Sequence, residues 1–530
     1  MKLVPLIPND MEGQLEFLCE VLGKAFIDWV LVNPSGPLTP NQAEALDLLI
    51  TLLRQGQSSV GHPGSARLIL SGLTQYYPEV NTSALNYLRI RSTTQPLPRF
   101  TKSEDDLLDA LTEAAVEIYG ELLLNLRNPH AGILGPYASP VMQRLRAAVT
   151  SDPSLPFRLG DENAGVYIVT TAGQATSIQG TFAGTSIISA AWEQVRMHNP
   201  ATPSLENLVE ALPTALDKAR TALSGSTVKT TGLCSFTGAT LPSNAVIELG
   251  WGRLRSARFE DHPEFVDSMV ERRTVGQAES GEEVVISDAG DVILEVDVPF
   301  RIDMPAAPID FTADFTWPKQ SSTLELEKRV LQVRIALMLA LERATIPVVL
   351  PVWRRFVQPI GQGGSVGISD PELSAPRVPS TLSSMEVESW REWIGRLDSV
   401  ELLRLGVAPA RLLRAVAERR DPFDSLIDSV ICWEAIFGGD AEMTLRVSSA
   451  IARLLRPPGP ERQQLRREVA DLYRLRSKVV HGVGVAMDDV IEASKTAIRL
   501  GIQIVRTLAT DRVDLINKTS SERSILVLMD

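Results

Sequence analysis

Leu472-Tyr473-Arg474-Leu475-Arg476-Ser477-Lys478-Val479-Val480-His481-Gly482 is the stretch on which the reading of this 530-residue chain turns. It closes a run, residues 461–481, in which Leu465, Val469, Leu472, Val479 and Val480 recur at helical spacing as an apolar stripe. Arg476 lies four residues after Leu472, on the same stripe. An unpaired charge in a core costs several kcal/mol, roughly, so Arg476 must face a carboxylate, a partner subunit or a polar cleft. Glu434 is the candidate carboxylate, because it too sits among apolar neighbours (Ile431, Cys432, Trp433, Ile436, Phe437). His481 follows Arg476 by five residues, a step of about 140° in a continuous helix, which would part the two side chains. Gly482 and Gly484 read as a helix stop, so His481 stands at the helix end and is released from that period.

Working outward, five more helical segments surround this one: residues 386–397, 400–419, 422–437, 442–455 and 488–508. Asp421-Pro422 is a start signal, an acid at the cap and proline at the first helical position. Pro457-Pro458-Gly459-Pro460 forces a break. Short connections between such segments describe an all-helical bundle. The chain as a whole is acidic, with a formal net charge of −13. That balance disfavours a nonspecific nucleic-acid coat. Residues 441–480 run the other way, with nine bases against four acids. A confined polyanion site and a solvated helix face, laced with pairs such as Arg467 with Asp471, explain this island equally well.

The remaining sequence places that bundle third. The expected fold class is α+β, mostly helical: a helical N-terminal region, a small β-rich middle domain, and the C-terminal bundle. Residues 1–225 read as helices over 9–31, 41–55, 103–127 and 204–223, with a short strand at 166–170. Residues 226–357 turn to alternation in three strands, 245–250, 283–287 and 291–298, with a turn at Asp288-Ala289-Gly290 and a trailing helix over 323–344. Residues 358–382, with Gly361, Gly363, Gly364 and Gly367 among three prolines, read as a linker; no Lys-Ser or Lys-Thr follows them, so a phosphate loop fails. The bundle spans 383–512, and residues 513–530 read as a tail. The apolar stretch 330–353 is interrupted by Arg334, Glu342 and Arg343, which fits a buried helix and strand rather than a membrane span. Residues 1–9 lack the pattern of a signal peptide. Cys19, Cys234 and Cys432 are far apart, which argues against disulfides or a zinc site and fits a reducing cytoplasm. No cofactor and no metal are expected.

Arginine and histidine together suit RNA transesterification. A base takes the proton of the ribose 2′-hydroxyl, which attacks the adjacent phosphate, and an acid protonates the leaving 5′-oxygen. A guanidinium fork matches phosphate oxygens and suits the crowded phosphorus. Imidazole titrates near neutrality and suits proton transfer. Spacing alone is weak: Arg255 and His262 repeat an Arg-x6-His in the β-rich region. His62, His130 and His198 are scattered and form no nucleophile or metal pattern.

More than spacing matches, however. Residues 421–438, Asp-Pro-Phe-Asp-Ser-Leu-Ile-Asp-Ser-Val-Ile-Cys-Trp-Glu-Ala-Ile-Phe-Gly, resemble the helix of ApeA-like HEPN domains that ends in a Glu-Ala-Leu-Phe signature, with Ile436 in place of leucine. A helix led by Glu442 and Arg446 follows. Residues 472–482 then resemble that family's Tyr-x-x-Arg-Ser-x-x-Val-His-Gly block. The resemblance covers about 130 residues, 383–512. It implies a helical bundle that dimerises, with Arg476 and His481 lining a shared cleft as the catalytic pair of a metal-independent endoribonuclease. Ser477, Glu434 and Tyr473 would support them. Ser477 departs from the Asn, Asp or His of the wider superfamily, which leaves the proton relay open.

The expectation is therefore an RNA-cleaving toxin or anti-phage abortive-infection protein of the cytoplasm. Its substrate would be RNA, with tRNA a candidate, its assembly a homodimer or higher homo-oligomer, and its trigger phage-derived. Arg466, Arg467 and Lys478 are the candidate RNA phosphate contacts. The alternatives are a non-catalytic HEPN dimerisation or binding module, and an enzyme whose chemistry lies in residues 1–316. Trp390 and Trp393, three apart, fit one tryptophan in the core and one over the linker better than base stacking.

Overall fold

The computed structural model describes residues 10–32, 37–60, 73, 76–123, 139–158, 165–198, 204–243, 245–258, 261, 272–277, 283–287, 290–305, 319–343, 347–360, 367–368, 379–439, 442–482 and 484–529. It is a mostly helical α+β protein. Where one helix was expected over 9–31, there are two, α1 (Met11–Leu22) and α2 (Lys24–Leu31). They part at Gly23, whose φ of +91° interrupts an apolar stripe that runs on through it. Then come α3 (Pro40–Val60), the two-residue strands β1 (Tyr76–Tyr77) and β2 (Thr82–Ser83), α4 (Ala84–Thr93), α5 (Asp106–Leu123) and α6 (Pro140–Ser151). The helix expected from 103 starts at Asp106, capped by Asp105, whose carboxylate accepts from the N–H groups of Leu107 and Leu108, both at 3.1 Å. After β3 (Gly165–Thr170) and β4 (Ala175–Gln179), α7 (Gly180–His198) and α8 (Leu205–Leu223) complete this part, Ser204 capping α8 as its hydroxyl accepts from the Asn207 N–H at 3.1 Å.

The middle of the chain builds an antiparallel sheet. Its strands are β5 (Val228–Thr237), β7 (Val246–Leu249), β8 (Gly252–Ser256), β11 (Val292–Phe300), β13 (Leu350–Val357) and β14 (Gly367–Ile368), in the order β14-β13-β5-β11-β8-β7. Three shorter pairings surround it. β6 (Ala239–Thr240) pairs in parallel with β15 (Ser380–Thr381), β9 (Arg272–Gln277) pairs with β10 (Glu283–Ser287), and β12 (Ile302–Asp303) joins β3. Of the turn expected at Asp288-Ala289-Gly290, the first two residues lie outside the described residues and Gly290 has φ +87°; among the described residues β10 and β11 do not pair with each other. Instead β11 runs between β5 and β8, with Leu294 opposite Cys234 and Leu254. One sheet face is apolar and meets α9 (Ser321–Ala340): Leu326 and Phe356 close over Gly232, where a Cβ would stand 3.2 Å from Phe356. The other face carries Arg253, Arg255, Glu295 and Arg355.

The C-terminal part contains α10 (Ser384–Ser399), α11 (Ala408–Leu413), α12 (Pro422–Phe437), α13 (Met443–Leu455), α14 (Pro460–Val480), α15 (Met487–Thr510) and α16 (Ser520–Met529). A single helix over 400–419 does not form. A 3-10 turn at Leu402–Leu405 ends at Gly406, φ +67°, and α11 runs on into a π turn at Arg414–Glu418. Residues 513–530, read as a tail, instead supply a 3-10 turn and α16. Of the stretch read as a linker, residues 361–366 and 369–378 lie outside the described residues.

Two large apolar cores result. The first runs from Phe17 through the N-terminal helices and the sheet to Trp390 and Ile394 of α10. The second holds Leu412, Trp433, Phe437, Val469, Val490, Ile504 and Val527 from α11 to α16. Helix α9 serves both, with Val330, Val333 and Leu337 in the first and Ile335, Met338 and Leu339 in the second. This explains the apolar stretch noted from the sequence: it is a helix buried all round, followed by β13. Its Arg334 is satisfied by the Val349 carbonyl at 2.9 Å and by Glu418 at 2.8 Å. No helix of the described residues is long and apolar enough to cross a membrane. Trp390 is fully buried and donates its indole N–H to the Val333 carbonyl at 2.9 Å, whereas Trp393 is half-buried with Arg396 over its ring.

Candidate functional site

Helix α14 packs Leu465, Val469, Leu472 and Tyr473 into the second core. Arg476, three residues past Tyr473, falls at the edge of that face. Glu434 stands in the last turn of α12, a helix whose start is set by the Asp421 carboxylate accepting from the Phe423 N–H at 2.9 Å. The two helices bring three side chains together. The Tyr473 hydroxyl donates to one Glu434 carboxylate oxygen. The Arg476 guanidinium lies 4.0 Å from the other, with about a quarter of each side chain exposed (24% and 26%). Arg476 Nε is sealed from solvent without an acceptor. Burial, and then the carboxylate it bonds, push the Tyr473 hydroxyl's pKa well above the usual phenol range. Tyr473 therefore keeps its proton and fixes the Glu434 carboxylate within ion-pair range of Arg476.

His481 is the C-cap of α14. Its backbone N–H bonds the Ser477 carbonyl at 3.1 Å, and Gly482 follows at φ +68°, which is the helix stop read from the sequence. The His481 side chain is exposed. Five residues of helix separate it from Arg476, an axial rise of about 7.5 Å. Ser477, half-buried, contributes its carbonyl to the cap. The arrangement offers an anchored guanidinium and a solvent-facing imidazole at one helix end. A cation of this kind can take phosphate oxygens, and an exposed imidazole can exchange protons with a substrate.

The three candidate phosphate contacts do not gather there. Arg466, Arg467 and Lys478 are exposed. At about 100° per residue, Arg467 and Lys478 fall on the side of α14 opposite Arg476. The rest of the basic island is largely committed to structure. Arg453 donates to the Leu528 carbonyl at 2.6 Å, Arg462 to the Arg456 carbonyl at 2.8 Å, and Arg446 to Ser521 at 3.4 Å. Asp471 pairs with Arg474 rather than with Arg467, because the three-residue step from Asp471 also lies on its face.

Two determinants of this end of the bundle were missed. Arg523 of α16 is only 1% exposed and donates to the carbonyls of Ile436 at 2.7 Å, Lys518 at 2.7 Å, Leu515 at 3.0 Å and Ile516 at 3.4 Å. It thus fastens the C-terminal end of α12, two residues beyond Glu434, where the helix dipole favours a cation. Thr519-Ser520-Ser521-Glu522 was the available signal, a capping box whose Glu522 carboxylate accepts from the Thr519 N–H at 2.9 Å. Asp428, 1% exposed, takes Arg411 and Arg419, both at 2.7 Å, and so locks α12 to the π turn.

Elsewhere, Arg255 is committed to Glu295 at 2.7 Å and Asp261 at 2.6 Å, and its spacing partner His262 lies outside the described residues. His62 and His130 also lie outside them. Cys234 and Cys432 are buried free thiols, and burial pushes the Cys234 pKa up to about 12, so neither is a ready nucleophile. No family model, curated protein or solved structure matches the chain.

Proposed function

We propose that this protein is a HEPN-type endoribonuclease of the ApeA-like kind, acting on RNA in the cytoplasm as a toxin or in anti-phage defence. The observation that carries the reading is the pairing at the end of α14: Arg476 steadied by Glu434 and Tyr473, and His481 free in solvent on the cap. Arg476 binds the scissile phosphate and stabilises its added negative charge. His481 moves the proton of the reacting ribose–phosphate link. The 2′-oxygen bonds to phosphorus, the bond from phosphorus to the 5′-oxygen breaks, and the leaving oxygen takes a proton. The products are a 2′,3′-cyclic phosphate and a 5′-hydroxyl. A homodimer through this end supplies a second histidine, so that one imidazole is the base and the other the acid. Val480 and Met487, apolar yet 51% and 52% exposed on either side of His481, suit such a partner surface.

A non-catalytic dimerisation or binding module is the second reading. The observation that favours it is the Glu434 carboxylate itself, which draws Arg476 into the bundle's own polar network. Induced expression followed by sequencing of RNA ends separates the two. The nuclease reading expects new 5′-hydroxyl ends that disappear with His481→Ala. Ends unchanged by that substitution, or none above background, would leave the binding module.

A further inference from the structure

Arg89, in α4, is 6% exposed and has no carboxylate partner among the described residues. Its guanidinium lies over the Trp29 ring of α2, with Cζ 3.9 Å from the ring centroid. Stacking of this kind satisfies the face of the guanidinium and leaves its in-plane N–H donors free. Two of its nitrogens, Nε and Nη1, are sealed from solvent without an acceptor. So is the indole Nε1 of Trp29 beneath them. Gly120 of α5 lets Leu85 and this indole close in on the helix, since a Cβ there would stand 2.5 Å from Leu85 Cδ2 and 3.1 Å from the indole nitrogen. One turn before Arg89 on the same helix, Asn86 donates its amide to the Glu117 carbonyl at 2.8 Å, while its Oδ1 is buried without a donor. The nearby Glu117 makes no ion pair with Arg89 among the described residues: its carboxylate accepts from Thr82 at 3.3 Å, and burial raises its pKa.

A buried guanidinium lacking both a counter-ion and acceptors is among the costliest arrangements a core can hold. The neighbouring groups indicate what would relieve it. Three unmet donors call for an oxyanion. The unmet acceptor on Asn86 calls for an O–H on the same group. A carboxylate has no proton to give, whereas a phosphate monoester or hydrogen phosphate carries both. We propose that the seam between α2, α4 and α5 is a phosphate-binding site, with Arg89 and Trp29 as donors and Asn86 as acceptor. It is separate from the chemistry proposed at α14 and gives the N-terminal helices a ligand of their own.

The test is calorimetric titration of the full chain with inorganic phosphate and, at matched ionic strength, with acetate. Saturable phosphate binding is expected, weakened by about tenfold or more in Arg89→Met and by a few-fold in Trp29→Phe, which keeps the ring and removes one donor. Arg476→Met removes any phosphate held at α14, and saturable binding dependent on Arg89 should persist in it. Absent saturation by phosphate, equal binding of acetate, or phosphate binding lost in Arg476→Met but retained in Arg89→Met would each overturn the assignment. Should Arg89→Met not fold, the Trp29→Phe titration decides, and undiminished affinity there counts against the site.

Discussion

The coupling between Glu434 and Arg476 can be assigned a magnitude that separates a substrate-facing arginine from a purely structural one. At 4.0 Å, and with an effective dielectric constant of about 20, the bare attraction is about 4 kcal/mol. About a quarter of each side chain is exposed (24% and 26%), so screening and the cost of desolvating the guanidinium reduce the net term to about 1 kcal/mol. Glu434→Gln keeps an oxygen for the Tyr473 hydroxyl and removes only the charge. Arg476→Met keeps most of the stem and removes the other charge. Denaturant unfolding of the two single variants and the double variant, read at unchanged m-value, should give an interaction energy of about 1 kcal/mol. RNA cleavage should fall about a hundredfold or more in Arg476→Met, but by less in Glu434→Gln, where the guanidinium is less well held but still present. A coupling of about 3 kcal/mol or more would mean that the guanidinium is committed to Glu434 and unavailable to phosphate. A coupling of zero would mean that Glu434 does not position it. Either result refutes the argument.

Three further outcomes follow from the packing. Arg523→Met should destabilise the C-terminal bundle by about 2–4 kcal/mol, because it strands the carbonyls of Ile436, Leu515 and Lys518, and it should loosen α12 near Glu434; amide exchange at residues 434–438 reports this. Arg220→Met should cost about 3 kcal/mol in thermal or denaturant unfolding, since Arg220 bridges Asp105 and Asp152, and the Asp152 side chain is only 4% exposed. Glu386, in the capping box of α10, is held at a pKa of about 2, first by its bonds to Arg343, against an ordinary value of 4.5. Its contribution is therefore full above the ordinary value and lost as pH falls from there towards 2. Glu386→Gln should accordingly cost about 1 kcal/mol at pH 7, and the difference from the parent should shrink as pH falls below 4.5 and vanish only below about pH 2 in a series of unfolding curves.

Helices with punctuation at both ends were legible in the sequence. Helix α12 begins at Pro422 after Asp421 and stops before Gly438, and α8 follows its cap Ser204. Breaks inside a continuous apolar stripe were not, because periodicity does not register a glycine at positive φ when the stripe resumes in phase; Gly23 and Gly406 are both of this kind. The meeting of Glu434 with Arg476 could be anticipated because each is a charge among apolar neighbours on its own helix. The scatter of Arg466, Arg467 and Lys478 could not be drawn from a count of charges, which ignores the rotation of about 100° per residue. Pairings such as Asp428 with Arg411 and Arg419 depend on tertiary packing and leave no local mark.

Helix α9 constrains how a movement of the first core could be felt at the end of α14. It contributes side chains to both cores, and its flanks are tied down as well. Arg329 and Gln332 hold Asp398 of α10, the latter at 3.0 Å. Arg506 of α15 donates to the Leu339 carbonyl at 2.7 Å and the Leu341 carbonyl at 2.6 Å, placing a cation on the carbonyl end of α9. Arg334 reaches Glu418 in the π turn that Asp428 locks to α12. A hinge between the two cores would have to break all of these contacts together and expose the apolar side chains of α9 on both sides. Small shifts of packed helices cost far less. A signal from the N-terminal helices would therefore reach Glu434 as a displacement of α9 passed through Arg334, Glu418 and the π turn, rather than as a swing of one core away from the other.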